Sequence, residues 1–142
     1  MVNADIVIDT NVLVAALRSK LGVSHKLMML VGTGLFEIHL SVPLVLEYEY
    51  AAKAHVPDIL LSKQDVDDIL DYLCAVSQHH EISFLWRPHV KDPMDDMVLE
   101  LAFTASCNNI VTFNSKDFIG VEELGIEVVN PREFLEIIGE EI

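Results

Sequence analysis

Short apolar runs alternate with stretches of helical periodicity along nearly the whole chain, and this alternation restricts the fold more than any other feature. The runs are Ile6-Val7-Ile8, Phe36-Glu37-Ile38-His39-Leu40, Ile82-Ser83-Phe84-Leu85-Trp86, Asn109-Ile110-Val111-Thr112-Phe113 and residues 126–129. Each has the length of a buried strand. Helices are predicted over residues 11–20, 23–31, 44–54, 62–76, 98–105 and 131–138. Strands separated by helices pair in parallel through right-handed crossovers, and the sheet is then covered on both faces. The predicted class is α/β, with three layers in the order α/β/α. Ligands of such folds bind beyond the carboxyl ends of the strands, where the strand order switches direction.

Local signals fix several boundaries. Ser41 and Pro43 open the helix that carries Glu47, since proline is tolerated in a first turn. Ser62-Lys63-Gln64-Asp65 has capping-box spacing, and Val66, Ile69, Leu70, Leu73 and Val76 behind it follow a helical stripe. Its acids Asp67, Asp68 and Asp71 read as a solvated face. Asn130-Pro131-Arg132-Glu133 supplies a cap, a first-turn proline and an acid at the third helical position for the last helix. A cation is welcome at a helix end, which suits His79-His80 after the fourth helix. The remaining histidines read as surface or loop residues.

A chain of 142 residues, 51% of them hydrophobic, suffices for one core, so a single domain spanning 1–142 is predicted. No internal repeat or linker interrupts it. The two cysteines, Cys74 and Cys107, lack metal-ligand spacing and read as buried thiols in a reducing compartment. No apolar run reaches the roughly 18 residues of a membrane span, and no signal stretch opens the chain. A cytoplasmic protein without a membrane partner is predicted. The net charge of −14 opposes a broad nucleic-acid surface, because non-specific affinity comes from cations neutralising phosphates.

Four acids stand out by position: Asp9 after the first strand, Glu47 after the second, Asp95 before the buried helix and Asp117 after the fourth strand. Asp9 ends a buried strand, where a carboxylate needs a hydrogen bond, a partner or a cation. Two carboxylates 4 Å apart repel by about 4 kcal/mol at an effective dielectric of 20, so a gathered set raises its pKa values or binds a cation. Oxygen ligands without clustered cysteine or histidine favour Mg²⁺ or Mn²⁺. The chemistry that suits them is metal-assisted phosphodiester hydrolysis. Each acid also has an ordinary alternative. Asp9 can cap a helix, Asp95 can favour a helix dipole, Glu47 lies in an acid-rich helix beside Glu49, and Asp117 can cap a turn. Arg87, Lys91 and Lys116 flank the acidic motifs and are candidates for phosphate contact, with a solvated role as the alternative. Trp86 reads as core packing rather than base stacking.

The motifs Ile8-Asp9-Thr10-Asn11-Val12-Leu13, Ser41 with Leu46-Glu47-Tyr48, Asp92-Pro93-Met94-Asp95-Asp96, and Val111 through Asp117-Phe118 together resemble the PIN domain family. The likeness is to the VapC-like toxin components of toxin–antitoxin systems. It implies a five-stranded parallel sheet in the order 3-2-1-4-5 and a Mg²⁺- or Mn²⁺-dependent endoribonuclease acting on single-stranded RNA. Asp9, Glu47 and Asp95 match the family's core acids, and Asp117 the more variable fourth. Asp95 rather than Asp96 takes the core role by its spacing to Ala102. Thr10, Asn11, Thr112 and Asn114 fall where polar side chains orient carboxylates or waters. Position 114 departs from many relatives, which carry aspartate there. A cognate antitoxin and a homodimer are the implied protein partners. Two rival readings are an interaction module with a structural acid cluster and a phosphotransfer protein of the aspartyl-phosphate type. The second lacks the aspartate that dehalogenase-like enzymes carry two positions on, where Asn11 stands.

Overall fold

The computed structural model describes residues 4–82 and 93–140, and of residues 93–95 the backbone alone. Five parallel strands form one sheet in the order β3-β2-β1-β4-β5. These are β1 (Ala4–Ile8), β2 (Phe36–Leu40), β3 (Gln78–His79), β4 (Asn109–Val111) and β5 (Glu127–Val129). Helices α1 (Thr10–Arg18), α2 (Val23–Met29), α3 (Val42–Ala54), α4 (Lys63–Val76), α5 (Pro93–Thr104) and α6 (Pro131–Ile137) connect and follow them. The sheet order is the one the resemblance implied.

The central strand explains the architecture. Ile6 and Ile8 point to one face of β1 and Val7 to the other, and all three are buried, so both faces are covered. Ile6 stands opposite Ile38 of β2 and Asn109 of β4, and Ile8 opposite Val111. Phe36 packs edge-on against Phe134 of α6, with ring centroids 5.3 Å apart. The caps follow the sequence. Ser62 Oγ accepts from Asp65 N at 3.1 Å while Asp65 Oδ2 accepts from Ser62 N at 2.8 Å, and Asn130 with Glu133 repeats the exchange on α6. Val66, Leu70 and Leu73 form the buried stripe of α4. Asp67 on its flank is paired with Lys53 of α3 at 2.8 Å, so that acid is not simply solvated. Among the described residues no helix is long and apolar enough to cross a membrane.

Several expectations need correction. The third strand is Gln78–His79, so His79 and His80 do not end a helix: α4 stops at Val76. The predicted strand over residues 82–86, Trp86 included, lies outside the described residues from 83 onward. His39 is not a surface histidine. It is buried in β2, with Nε2 2.9 Å from Asp5 Oδ1 and Nδ1 2.7 Å from His80 Nε2. Burial, then His39 and His79, holds the His80 imidazole below its ordinary pKa. The helix expected to be buried over 98–105 is so at Val98, Leu99, Leu101 and Ala102, but Phe103 on it is 44% exposed.

Cys107 is the buried thiol expected, whereas Cys74 is only half-buried. Both are free, and burial pushes the Cys107 thiol up to about 12, with Asp5 adding to it. Gly32 makes a sharper demand. Its φ of +86° is left-handed, and a Cβ there would overlap the Tyr72 hydroxyl, which donates to Val31 O at 2.8 Å. Gly32→Ala should therefore lower stability by about 1–3 kcal/mol, read as a drop of several degrees in melting temperature. A variant that melts with the parent would show that this turn relaxes freely.

Candidate functional site

The strand order reverses between β1 and β4, and a polar network occupies their carboxyl ends. Asp9 extends the ladder, its N–H donating to Val111 O at 2.9 Å. Its side chain then starts α1, Oδ1 accepting from Thr10 N at 2.8 Å. Oδ2 accepts from the Thr112 hydroxyl at 2.8 Å and from Asn11 Nδ2 at 3.4 Å. Thr112 Oγ1 in turn accepts from Asn11 Nδ2 at 3.3 Å and from Asn114 N at 3.0 Å. Asn11 Oδ1 closes the circuit by accepting from Phe113 N at 3.3 Å. Asp9 is 8% exposed and Thr112 fully buried, so this circuit fixes the carboxylate in a place shielded from bulk water.

Tyr48 secures the opposite wall. Its hydroxyl donates to Ile8 O, one residue before Asp9, which ties α3 to the end of β1. Burial first, then the charges of Asp9 and Glu47, raises the phenol well above its ordinary pKa, so it stays a neutral donor. That both acids act on one phenol places them near each other.

Between α1 and α3 runs a trough of about 500 Å³. One face of α1 lines it with Asn11, Val14, Ala15 and Arg18, positions spaced three, four and seven apart. Glu47, Ala51 and His55, each a turn further along, line it from α3. Asp9 and Thr10 form the head of the trough with Asn114 and Asp117 from the turn after β4. The buried Thr10 hydroxyl has no hydrogen-bond partner among the described residues.

Six of the residues singled out in sequence thus share one site: Asp9, Thr10, Asn11, Glu47, Asn114 and Asp117. Thr112 lies directly behind Asp9. Lys116 is exposed on the 3₁₀ turn Ser115–Phe118 and does not line the trough. Asp95 sits in the first turn of α5, a helix that packs on β1, β4 and α3, but its side chain lies outside the described residues. Arg87 and Lys91 also lie outside them. Among the described residues no three of the aspartate, glutamate, histidine and cysteine side chains gather closely enough to hold a metal by themselves. Arg18, His55 and Tyr48 were not anticipated. Glu100 was missed too: it is buried in α5, and desolvation, then Asp96, raises its carboxyl pKa.

A parallel α/β sheet with acids at the switch point and an open trough beside them defines a class of three-layer α/β domains. The comparisons place the chain within that class. A family model for the PIN domain matches residues 5–116, and the chain belongs to the PIN domain family. Among solved structures, a chain of VapBC2 from Rickettsia felis, crystallised bound to a DNA fragment from their promoter, superposes with a TM-score of 0.56. The two share 15% sequence identity over 89% of this chain and 98% of that one, so the likeness is one of fold. No curated protein matches the chain.

Proposed function

We propose that this PIN domain is a Mg²⁺- or Mn²⁺-dependent endoribonuclease that cleaves single-stranded RNA, and that it is the toxin of a toxin–antitoxin pair. The observation that carries the reading is that Asp9, Glu47 and Asp117 line one trough, which opens at the sheet's switch point. Asp95, in the first turn of α5, is the fourth member of the proposed set. Carboxylate oxygens are the donors that hard divalent cations take, and the orphaned Thr10 hydroxyl among them suits a hydrated ion. Such a cation supplies an activated water and charge stabilisation for displacement at phosphorus. The chain's own residues do the rest. Thr112 and Asn11 hold Asp9 in one orientation by donating to Oδ2. Tyr48 fixes the wall that carries Glu47. Asn114, neutral where many relatives carry aspartate, leaves Asp117 as the acid of its turn and favours a single principal cation site.

The toxin reading rests on the family, the VapBC2-like fold and a second surface. An apolar groove of about 380 Å³ lies between α1, α2 and α4, lined by Leu13, Leu17, Met28, Ile69, Tyr72 and Leu73. Such a groove suits the apolar face of an antitoxin segment. The activity is tested by incubating the full chain with a labelled single-stranded RNA in Mn²⁺ and mapping the products. Fragments with 5′-phosphate and 3′-hydroxyl ends, lost on chelation, are expected. Intact RNA, or 2′,3′-cyclic ends, would sink the reading and favour an interaction module.

A further inference from the structure

We infer that Arg18 and His55 form a second subsite in the trough, one that takes the phosphate and ribose of a nucleotide a few positions along the strand from the scissile bond and selects RNA over DNA. The inference rests on the ribonuclease reading and deepens it. Displacement at phosphorus by a metal-activated water makes no use of the 2′-hydroxyl. Sugar selection therefore has to come from groups along the path of the strand.

The trough supplies two. Glu47 of α3 and His55, which caps the end of that helix, stand eight residues apart, and Asn11 and Arg18 seven apart on one face of α1. At 1.5 Å per residue these spans are roughly 10–12 Å. That is about three rises of a stacked strand at about 3.4 Å each, so Arg18 and His55 meet a nucleotide up to three positions along from the phosphate at the proposed cation site. Arg18 is exposed, is the only cationic side chain among the described residues that line the trough, and forms no ion pair among them. In a chain of net charge −14 it is the group there that can neutralise a phosphate.

His55 has a defined tautomer. Its Nδ1 lies 2.8 Å from Ala51 O, and a carbonyl only accepts, so Nδ1 carries the proton. In the neutral ring Nε2 is then an acceptor, on a half-buried side chain lining the trough. An acceptor at that place is matched by a 2′-hydroxyl, and a deoxyribose has nothing to donate.

The test measures binding of a 5′-fluorescein 12-mer RNA, and of DNA of the same sequence, by anisotropy with Ca²⁺ in place of Mn²⁺. Wild type should prefer RNA. His55→Asn keeps an amide donor for Ala51 O and removes the Nε2 acceptor. It should weaken RNA binding by about threefold to tenfold, the scale of one hydrogen bond, and leave DNA binding unchanged. His55→Gln, which returns an acceptor near the Nε2 position, should restore the preference. Arg18→Ala should weaken RNA and DNA alike and reduce the slope of log affinity against log salt by about 0.7, while Arg18→Lys keeps the slope. Melting curves matching wild type are required of each variant, and Arg18→Lys and His55→Gln serve where an alanine or asparagine variant melts early. Wild-type binding and cleavage of RNA with all variants unaltered overturns the subsite alone. A wild type that neither binds nor cleaves RNA overturns the subsite and the ribonuclease reading together.

Discussion

Asp9→Asn is expected to lower Mn²⁺-dependent RNA cleavage by at least about a hundredfold, the loss found at the upper end for groups that merely support a metal ligand. The charge is removed, and the amide also fits poorly. Both carboxylate oxygens face donors: Thr10 N on one side, the Thr112 hydroxyl and the Asn11 amide on the other. Whichever way the asparagine turns, its NH₂ meets a donor. Leaving such a buried group unmatched costs about 1–3 kcal/mol. The variant should therefore melt several degrees lower as well as lose activity, though asparagine is itself a good helix cap. Undiminished cleavage by a folded Asp9→Asn protein would remove Asp9 from the proposed metal set.

Millimolar Mn²⁺ should raise the melting temperature of the wild type by about 5–10 °C and do nothing for Asp9→Asn. A ligand at a hundred times its Kd stabilises the folded state by about 2.7 kcal/mol, and for a chain of this size each kcal/mol moves the midpoint by a few degrees. The carboxylates at the head of the trough are the reason to expect it, because a cation relieves their mutual repulsion. A midpoint indifferent to the metal in both proteins counts against a preformed divalent site.

What the sequence conveyed depended on how local the signal was. The β2 strand, the caps of α3, α4 and α6 and the buried stripe of α4 all follow from contiguous residues, and the structure has them where the pattern puts them. β3 escaped because Gln78 and His79 are exposed and carry no apolar pattern. Only their pairing with His39 and Leu40 makes them a strand. His39 was misread for the same reason, since its partner Asp5 is brought alongside by the parallel register of β1 and β2. In the trough, Asp9, Glu47 and Asp117 were legible because each follows a strand and precedes or joins a helical turn. Arg18 and His55 lie two helical turns beyond them, where charge at a helix end has an ordinary explanation. Counting along the faces of Asn11 and Glu47 at helical spacing would have found both.

The network around Asp9 has a consequence for how such a chain can be silenced. The side chain proposed to hold the cation also begins α1 and joins β1 to β4, so damage at position 9 reaches the frame as well as the chemistry. Glu47 lies in the middle of α3, away from either end of that helix. Under the proposed function, loss at Asp9 yields a fragile chain prone to removal by quality control. Loss at Glu47 yields a durable, silent one whose apolar groove is intact and still competes for whatever protein docks there.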